Sequence, residues 1–378
     1  MTLSTDHKNL QAELMRLALC GAAGLMVSAL LLTSLGTVIE ALLYLLASAA
    51  LWLLICQQSH QRLSLNRADA SAPLYPGLGW ANRMTIGRGW LIAAIGGFLL
   101  IPDLLINHPV VLWTAAALYS IAAIFDRLDG FVARRSKQTS ELGAELDTVF
   151  DALGLLVAPL LALQHGKIHV SYLLVSVAYY LFVIGLKVRA KNHKPVYPLP
   201  PSVLRRSLAG FQMGYVAVVL WPPFKADVTV VTGFGFMVPL LIGFCFDWLV
   251  VSGRLTAQPE LLERVHHMTR TVLMPGLRLV LLLTAFIVVY RWNPTSSAAG
   301  LLLAGTFMTG VSLMVLGLAG RAGAIVVLML LAWLVPVPVY SAPFVVALVC
   351  TISILLLGCG RFSLWQADDD WVNRQDGA

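Results

Sequence analysis

The sequence predicts an all-α protein that crosses a membrane many times. Of its 378 residues, 58% are hydrophobic and only 12% charged. The mean hydropathy is +0.81. The apolar residues come in continuous runs of roughly 16 to 24 rather than in short amphipathic stripes, which makes a bilayer the natural solvent. Twelve spans are predicted, at about 14–34, 37–56, 88–106, 109–126, 147–164, 168–187, 207–223, 228–251, 272–290, 297–319, 323–340 and 343–360. The first is too long, and too closely followed by the second, to read as a cleaved signal peptide.

Orientation follows from the basic residues. With a cytoplasmic N-terminus, 23 of the 26 Lys and Arg fall inside, and only Lys167, Lys225 and Arg291 fall outside. The net charge of +7 is therefore a positive-inside bias, and a nucleic-acid partner is not expected. A bacterial inner-membrane location with a cytoplasm-facing site is the reading this supports. Cys20, Cys56, Cys245, Cys350 and Cys359 sit in or at the ends of apolar spans at no metal-ligand spacing, and no span carries a His pair at i,i+4. Zinc is not expected.

Three blocks are expected along the chain. Residues 1–79 form a helical hairpin and a polar linker containing Pro73, Pro76 and Gly77. Residues 80–254 hold every strong polar signal. Residues 255–378 begin with an amphiphilic connector, 255–271, with Glu260, Glu263, Arg264, His266, His267 and Arg270, and continue as four nearly charge-free spans rich in small residues that allow close helix packing. Glu40 and Asp103, near span ends, read as bland, and Trp80, Trp90, Trp221 and Trp292 as interfacial anchors.

The central block contains "FDRLDGFVARRSKQTSELGAELDTVFDALG" at 125–154. On a helix, Asp126, Asp129, Gly130, Ala133 and Arg134 share one face at the end of the fourth span. Ser140 is a predicted N-cap for the next helix, on which Gly143, Asp147, Asp151 and Gly154 share a face. Placing a charge at the bilayer centre costs roughly 2.5–3.5 kcal/mol on insertion scales, and facing carboxylates add repulsion. Something positive must sit among them. Two divalent cations would neutralise four carboxylates, whereas one guanidinium neutralises one. An all-oxygen donor set without His or Cys favours Mg²⁺ or Mn²⁺, and a carboxylate-bridged pair suits displacement at phosphorus. The bland alternative is a set of Asp–Arg pairs tying helix ends together, which four acids on two converging faces make the weaker reading.

The pattern Asp126-x2-Asp129-Gly130-x2-Ala133-Arg134-x8-Gly143-x3-Asp147-x3-Asp151 resembles the signature of the CDP-alcohol phosphatidyltransferase family at all eight specified positions. The stretch "NRMTIGR", with Asn82, Thr85 and Arg88, resembles the start of that family's first core helix. The resemblance implies a six-helix core, here spans three to eight, extended by an N-terminal hairpin and a C-terminal four-helix bundle. It implies transfer of a phosphatidyl group from CDP-diacylglycerol, or a similar CDP-linked lipid, to a small polar alcohol with release of CMP. It also implies that Asp126, Asp129, Asp147 and Asp151 hold two Mg²⁺ or Mn²⁺ ions, with Asp151 as general base. Gly130, Ala133, Arg134 and Gly143, with Asn82 and Thr85, would receive the CDP moiety; a guanidinium such as that of Arg134 can pair with phosphate oxygens at two points.

For the acceptor, Arg205 and Arg206 are the candidates because they precede "SLAGFQMGY", similar to the "SxxGKxKT" stretch of phosphatidylglycerophosphate synthases. Phe211 stands where those enzymes have Lys, so a glycerol-phosphate acceptor is not implied. Asp247 either joins the acceptor site or pairs with Arg254. The rival from another class is a transporter or scaffold that retains the acids without turnover. The extensions leave a homodimer, other partners and lipid handling equally open.

Overall fold

The computed structural model describes residues 5–199, 202–255, 264, 267–294, 297–333 and 338–365. It is helical throughout, and among the described residues the one β feature is an isolated bridge between Leu318 and Trp365. The helices are α1 (Thr5–Leu32), α2 (Val38–Gln61), α3 (Gly79–Gly97), a short α4 (Pro102–Asn107), α5 (Pro109–Arg135), α6 (Glu141–Gln164), α7 (Leu173–Lys191), α8 (Val203–Val219), α9 (Ala226–Val251), α10 (Met274–Trp292), α11 (Ala298–Leu316), α12 (Gly320–Trp333) and α13 (Ala342–Leu357). Every predicted span contains a helix. Among the described residues, eight helices are long and apolar enough to cross a membrane, while α12 and α13 are apolar but shorter. Most of the connector 255–271, including Glu260, Glu263 and His266, and the tail beyond Trp365 lie outside the described residues.

Helix ends follow local chemistry. Thr37 and Glu40 form a reciprocal capping box at the start of α2, so Glu40 has the structural role its position suggested. Ser140 caps α6, its hydroxyl accepting from Gly143 N at 3.1 Å, as expected. The third span differs from expectation. Its helix begins at Gly79 rather than at residue 88, and ends at Gly97, where a single 3₁₀ turn runs into the break before Pro102. Asn82, Arg83 and Arg88 depress the hydropathy of its first half, and Pro102 starts a new helix because it has no N–H to continue the old one.

The chain divides into two compact units. Among the described residues, one comprises those of 1–166 and 216–222; the other comprises those of 167–215 and 223–365. In the first, α3 is the central element and packs on α2, α5 and α6. Its small residues permit this. A Cβ at Gly89 would stand 2.8 Å from Ile55 Cγ2 of α2 and 3.3 Å from Phe150 Cε2 of α6, and one at Gly97 would stand 2.9 Å from the carbonyl oxygen of Tyr44. Polar pins add to the packing: Trp90 Nε1 donates to Gly21 O (2.9 Å), Arg83 Nε to Glu13 Oε1 (2.6 Å) and Leu78 N to Glu13 Oε2 (3.0 Å). The N-terminal hairpin thus packs against the first core helix.

In the second unit, α11 packs on α12 and α10 on α13. Arg278 of α10 is buried and donates to the carbonyls of Val315, Cys359 (3.3 Å), Arg361 (3.1 Å) and Phe362 (3.4 Å), satisfying an oxygen of the last turn of α11 and oxygens of the segment that follows α13. A second buried network joins Tyr172 Oη to Gln212 Oε1, with Gln212 Nε2 donating to Phe236 O (2.6 Å).

Gly97→Leu is expected to destabilise the protein by about 1–3 kcal/mol, because its side chain meets α2 backbone that cannot rotate away. Thermal unfolding in detergent checks this, with Gly87→Ala, whose added Cβ would meet nothing within 4 Å, as the near-neutral comparison.

Candidate active site

Three helices bring their ionisable residues to one depth. Arg88 lies nine residues into α3, Asp126 nine residues before the end of α5, and Asp147 and Asp151 six and ten residues into α6. At 1.5 Å per residue, all four sit about 9–15 Å along their helices. The register places charge well inside apolar segments, where ionisable side chains mark function by default.

Arg88 is the hub. Its side chain is 1% exposed; Nη1 pairs with Asp126 Oδ1, while Nη2 donates to Asp147 Oδ1 at 2.8 Å and lies 3.2 Å from Asp151 Oδ1. The carboxylates are more open, at 26% for Asp126, 46% for Asp147 and 33% for Asp151, so the guanidinium forms the floor and the acids form the mouth. One oxygen from each of the three acids lies within 4.8 Å of the others. Asp151 Oδ1 is enclosed and receives no hydrogen bond among the described residues; neither does the hydroxyl of Tyr119, two turns before Asp126 on α5. Tyr119 is fully buried with its ring edge facing Gly154, one turn beyond Asp151.

Asp129 stands apart from the three. It is buried and accepts from Thr85 Oγ1 at 2.8 Å, one turn below Arg88 on α3. Asn82, a further turn down, donates to Asn66 Oδ1 (2.9 Å) and to Ser140 Oγ (3.0 Å). Its carboxamide oxygen occupies the space over Gly143, where a Cβ would be 2.7 Å away. The Arg134 guanidinium lies over Gly130, with Nη1 3.2 Å from the position a Cβ would take, and Ala133 is half-buried beside it. In the second unit, Arg205 and Asp247 form a bidentate pair, Nε to Oδ2 at 2.7 Å and Nη2 to Oδ1 at 2.8 Å. The partner of Asp247 is thus Arg205 rather than Arg254. Arg206 is exposed, and Phe211 lies under the guanidinium of Arg321.

The sequence pattern singled out four aspartates, of which the structure brings three together, and left Arg88 without a role. The available signal was a single arginine between Gly87 and Gly89, in phase with Asn82 and Thr85 at i+3 and i+6.

The donor set fits a hard divalent cation. Three carboxylate oxygens converge, the enclosed Asp151 Oδ1 accepts no hydrogen bond although Arg88 Nη2 lies 3.2 Å away, and among the described residues no softer ligand joins the cluster. Arg88 offsets only part of the negative charge. Such a site on a polytopic helical bundle marks a class of integral membrane protein that carries a cluster of acids among its apolar helices.

Comparison with known proteins specifies that class. Residues 78–245 match the family model described as CDP-alcohol phosphatidyltransferase, so this stretch is similar to that family. Over 116 residues it is 28% identical to the CDP-diacylglycerol–glycerol-3-phosphate 3-phosphatidyltransferase of Mycoplasma pneumoniae, covering 30% of this chain and 50% of that protein. Over 68 residues it is 34% identical to the CDP-diacylglycerol–serine O-phosphatidyltransferase of Methanocaldococcus jannaschii, covering 18% of this chain and 34% of that protein. The chain thus spans half or less of the length of these curated relatives. No solved structure matches it.

Arg88→Met is expected to cost about 2–3 kcal/mol in metal-free buffer. That is below the roughly 3–5 kcal/mol of a fully buried pair, because water partly solvates the acids. Chemical unfolding in detergent with a chelator measures the loss.

Proposed function

We propose that the protein transfers a phosphatidyl group from CDP-diacylglycerol, or a similar CDP-linked lipid, to the hydroxyl of a small polar alcohol, releasing CMP, as a step of phospholipid synthesis. The observation that carries this reading is the convergence of Asp126, Asp147 and Asp151 at one depth within the matched domain. The names of both relatives pair CDP-diacylglycerol with an alcohol-bearing acceptor, and those acceptors differ, so the acceptor here is left at its chemical class.

Asp126, Asp129, Asp147 and Asp151 would hold two Mg²⁺ or Mn²⁺ ions. Bound there, the ions supply positive charge for the non-bridging phosphate oxygens and the departing CMP. Asp151 takes the proton of the acceptor hydroxyl while that oxygen forms a bond to the lipid-side phosphorus; the phosphorus–oxygen bond to CMP breaks with its electron pair leaving on CMP. Thr85 holds Asp129 through its hydroxyl, and Arg88 keeps the three other carboxylates from repelling one another apart. Arg134, over a glycine that leaves it room, pairs with the diphosphate, and Gly130 and Ala133 line the nucleotide side; Asn82, Thr85 and Gly143 are assigned there by their place in the sequence pattern. Arg205, Arg206 and Asp247 are assigned to the acceptor by their place in the sequence pattern.

Residues 80–254 form the catalytic region in this reading, between the hairpin-and-linker segment 1–79 and the C-terminal segment 255–378. The excess of Lys and Arg on one side supports a bacterial inner membrane with the site facing the cytoplasm.

The full chain in detergent or nanodiscs, given radiolabelled CDP-diacylglycerol and a panel of polar alcohols and alcohol phosphates, is expected to release CMP only with Mg²⁺ or Mn²⁺ present. Asp151→Asn is expected to lower kcat by about 10²–10⁴-fold. Failure to release CMP with every acceptor would favour the transporter or scaffold reading instead. Chelation is expected to abolish turnover, and readdition of the metal to restore it.

A further inference from the structure

The loop between α2 and α3 precedes the residues matched by the family, yet it grips the first turn of α6. Glu141 N donates to Arg67 O (3.0 Å), and Tyr75 Oη donates to Thr139 O (3.3 Å). Arg67 and Arg62 also approach Glu141 (3.5 Å) and Glu145 (3.7 Å). Those ion pairs are solvent-exposed and worth little. The contact that matters is buried. Asn66 is 0% exposed, donates from Nδ2 to Gly77 O (2.9 Å), and accepts Tyr75 N on its own carbonyl (2.8 Å), so it closes the loop on itself. Its remaining oxygen accepts Asn82 Nδ2, and Asn82 in turn holds Ser140, the cap of α6. The Asn82 oxygen also fills the gap above Gly143, one turn before Asp147.

We infer that Asn66 is a positioning residue for the acidic site. Through Asn82 and Ser140 it fixes the first turn of α6, and hence where the carboxylates of Asp147 and Asp151 meet Asp126 and Arg88. The segment ahead of the matched domain is then part of its working machinery rather than a passive tether. A buried amide with both its donor and its acceptor engaged has one low-energy orientation, which is what a positioning group requires. The consequence for ion binding rests on the reading under Proposed function, whereas the clamp itself does not.

The test uses the full chain in detergent with two readouts: Mn²⁺ affinity by electron paramagnetic resonance titration, and backbone hydrogen exchange over residues 141–150. Asn66→Ala is expected to weaken Mn²⁺ binding about tenfold, in the range typical of residues that orient metal ligands, and to speed exchange at the start of α6. Trp52→Phe is the control. It removes the hydrogen bond from Trp52 Nε1 to Ala18 O within the N-terminal hairpin and is expected to change neither readout. Equal effects of the two substitutions, or no effect of Asn66→Ala, would overturn the inference. If Asn66→Ala does not fold, Tyr75→Phe serves in its place with an expected shift of about threefold, and an unchanged affinity and exchange rate would again overturn it. Should the unaltered protein bind no Mn²⁺, the ion-binding reading falls, and hydrogen exchange still decides the clamp.

Discussion

A buried guanidinium facing three carboxylates is the constraint around which the first unit is organised. Arg88 has almost no contact with solvent, and removing its partners would leave an uncompensated charge in an apolar bundle. The acids are partly solvated, and each would repel the others if left alone. Neither side of the interaction is stable without the other, so α3, α5 and α6 must meet at that depth. The arrangement also leaves negative charge unbalanced, a polarity suited to recruiting further cations.

The small residues of α3 are the packing counterpart of this electrostatic demand. A central helix can touch three neighbours only if its own side chains withdraw, and Gly89 and Gly97 provide that withdrawal towards α2 and α6. Because lipid gives no hydrophobic drive for helices to associate, close van der Waals contact and internal hydrogen bonds must do so. The pins from Trp90, Arg83 and Glu13 supply the latter at the interface with the hairpin.

Much of this was legible in the sequence. Apolar runs locate the helices, the spacing of Asp126, Asp147 and Asp151 brings them to shared faces, and Ser140 announces the start of α6. What escaped were features set by contact between distant segments. A hydropathy window cannot distinguish a polar residue bound for water from one bound for a buried network, so the first half of α3 was left outside its span. Asn66 lies in what reads as an ordinary polar linker, and nothing local reveals that its amide is buried against Asn82. The pairing of Asp129 with Thr85, and of Asp247 with Arg205, likewise depends on partners more than forty positions away.

The carbonyl cage around Arg278 bears on the order in which the molecule is made. Its acceptors lie 37 to 84 residues further along the chain, so at about 5–20 residues per second the ribosome delivers them roughly 2–17 seconds after the arginine itself. During that interval the nascent α10 carries a cation whose eventual hosts do not yet exist. Its settling into the bilayer stays provisional until the chain has been made as far as Phe362, which makes α11 and the segment after α13 a late-arriving lock on a helix synthesised well before them.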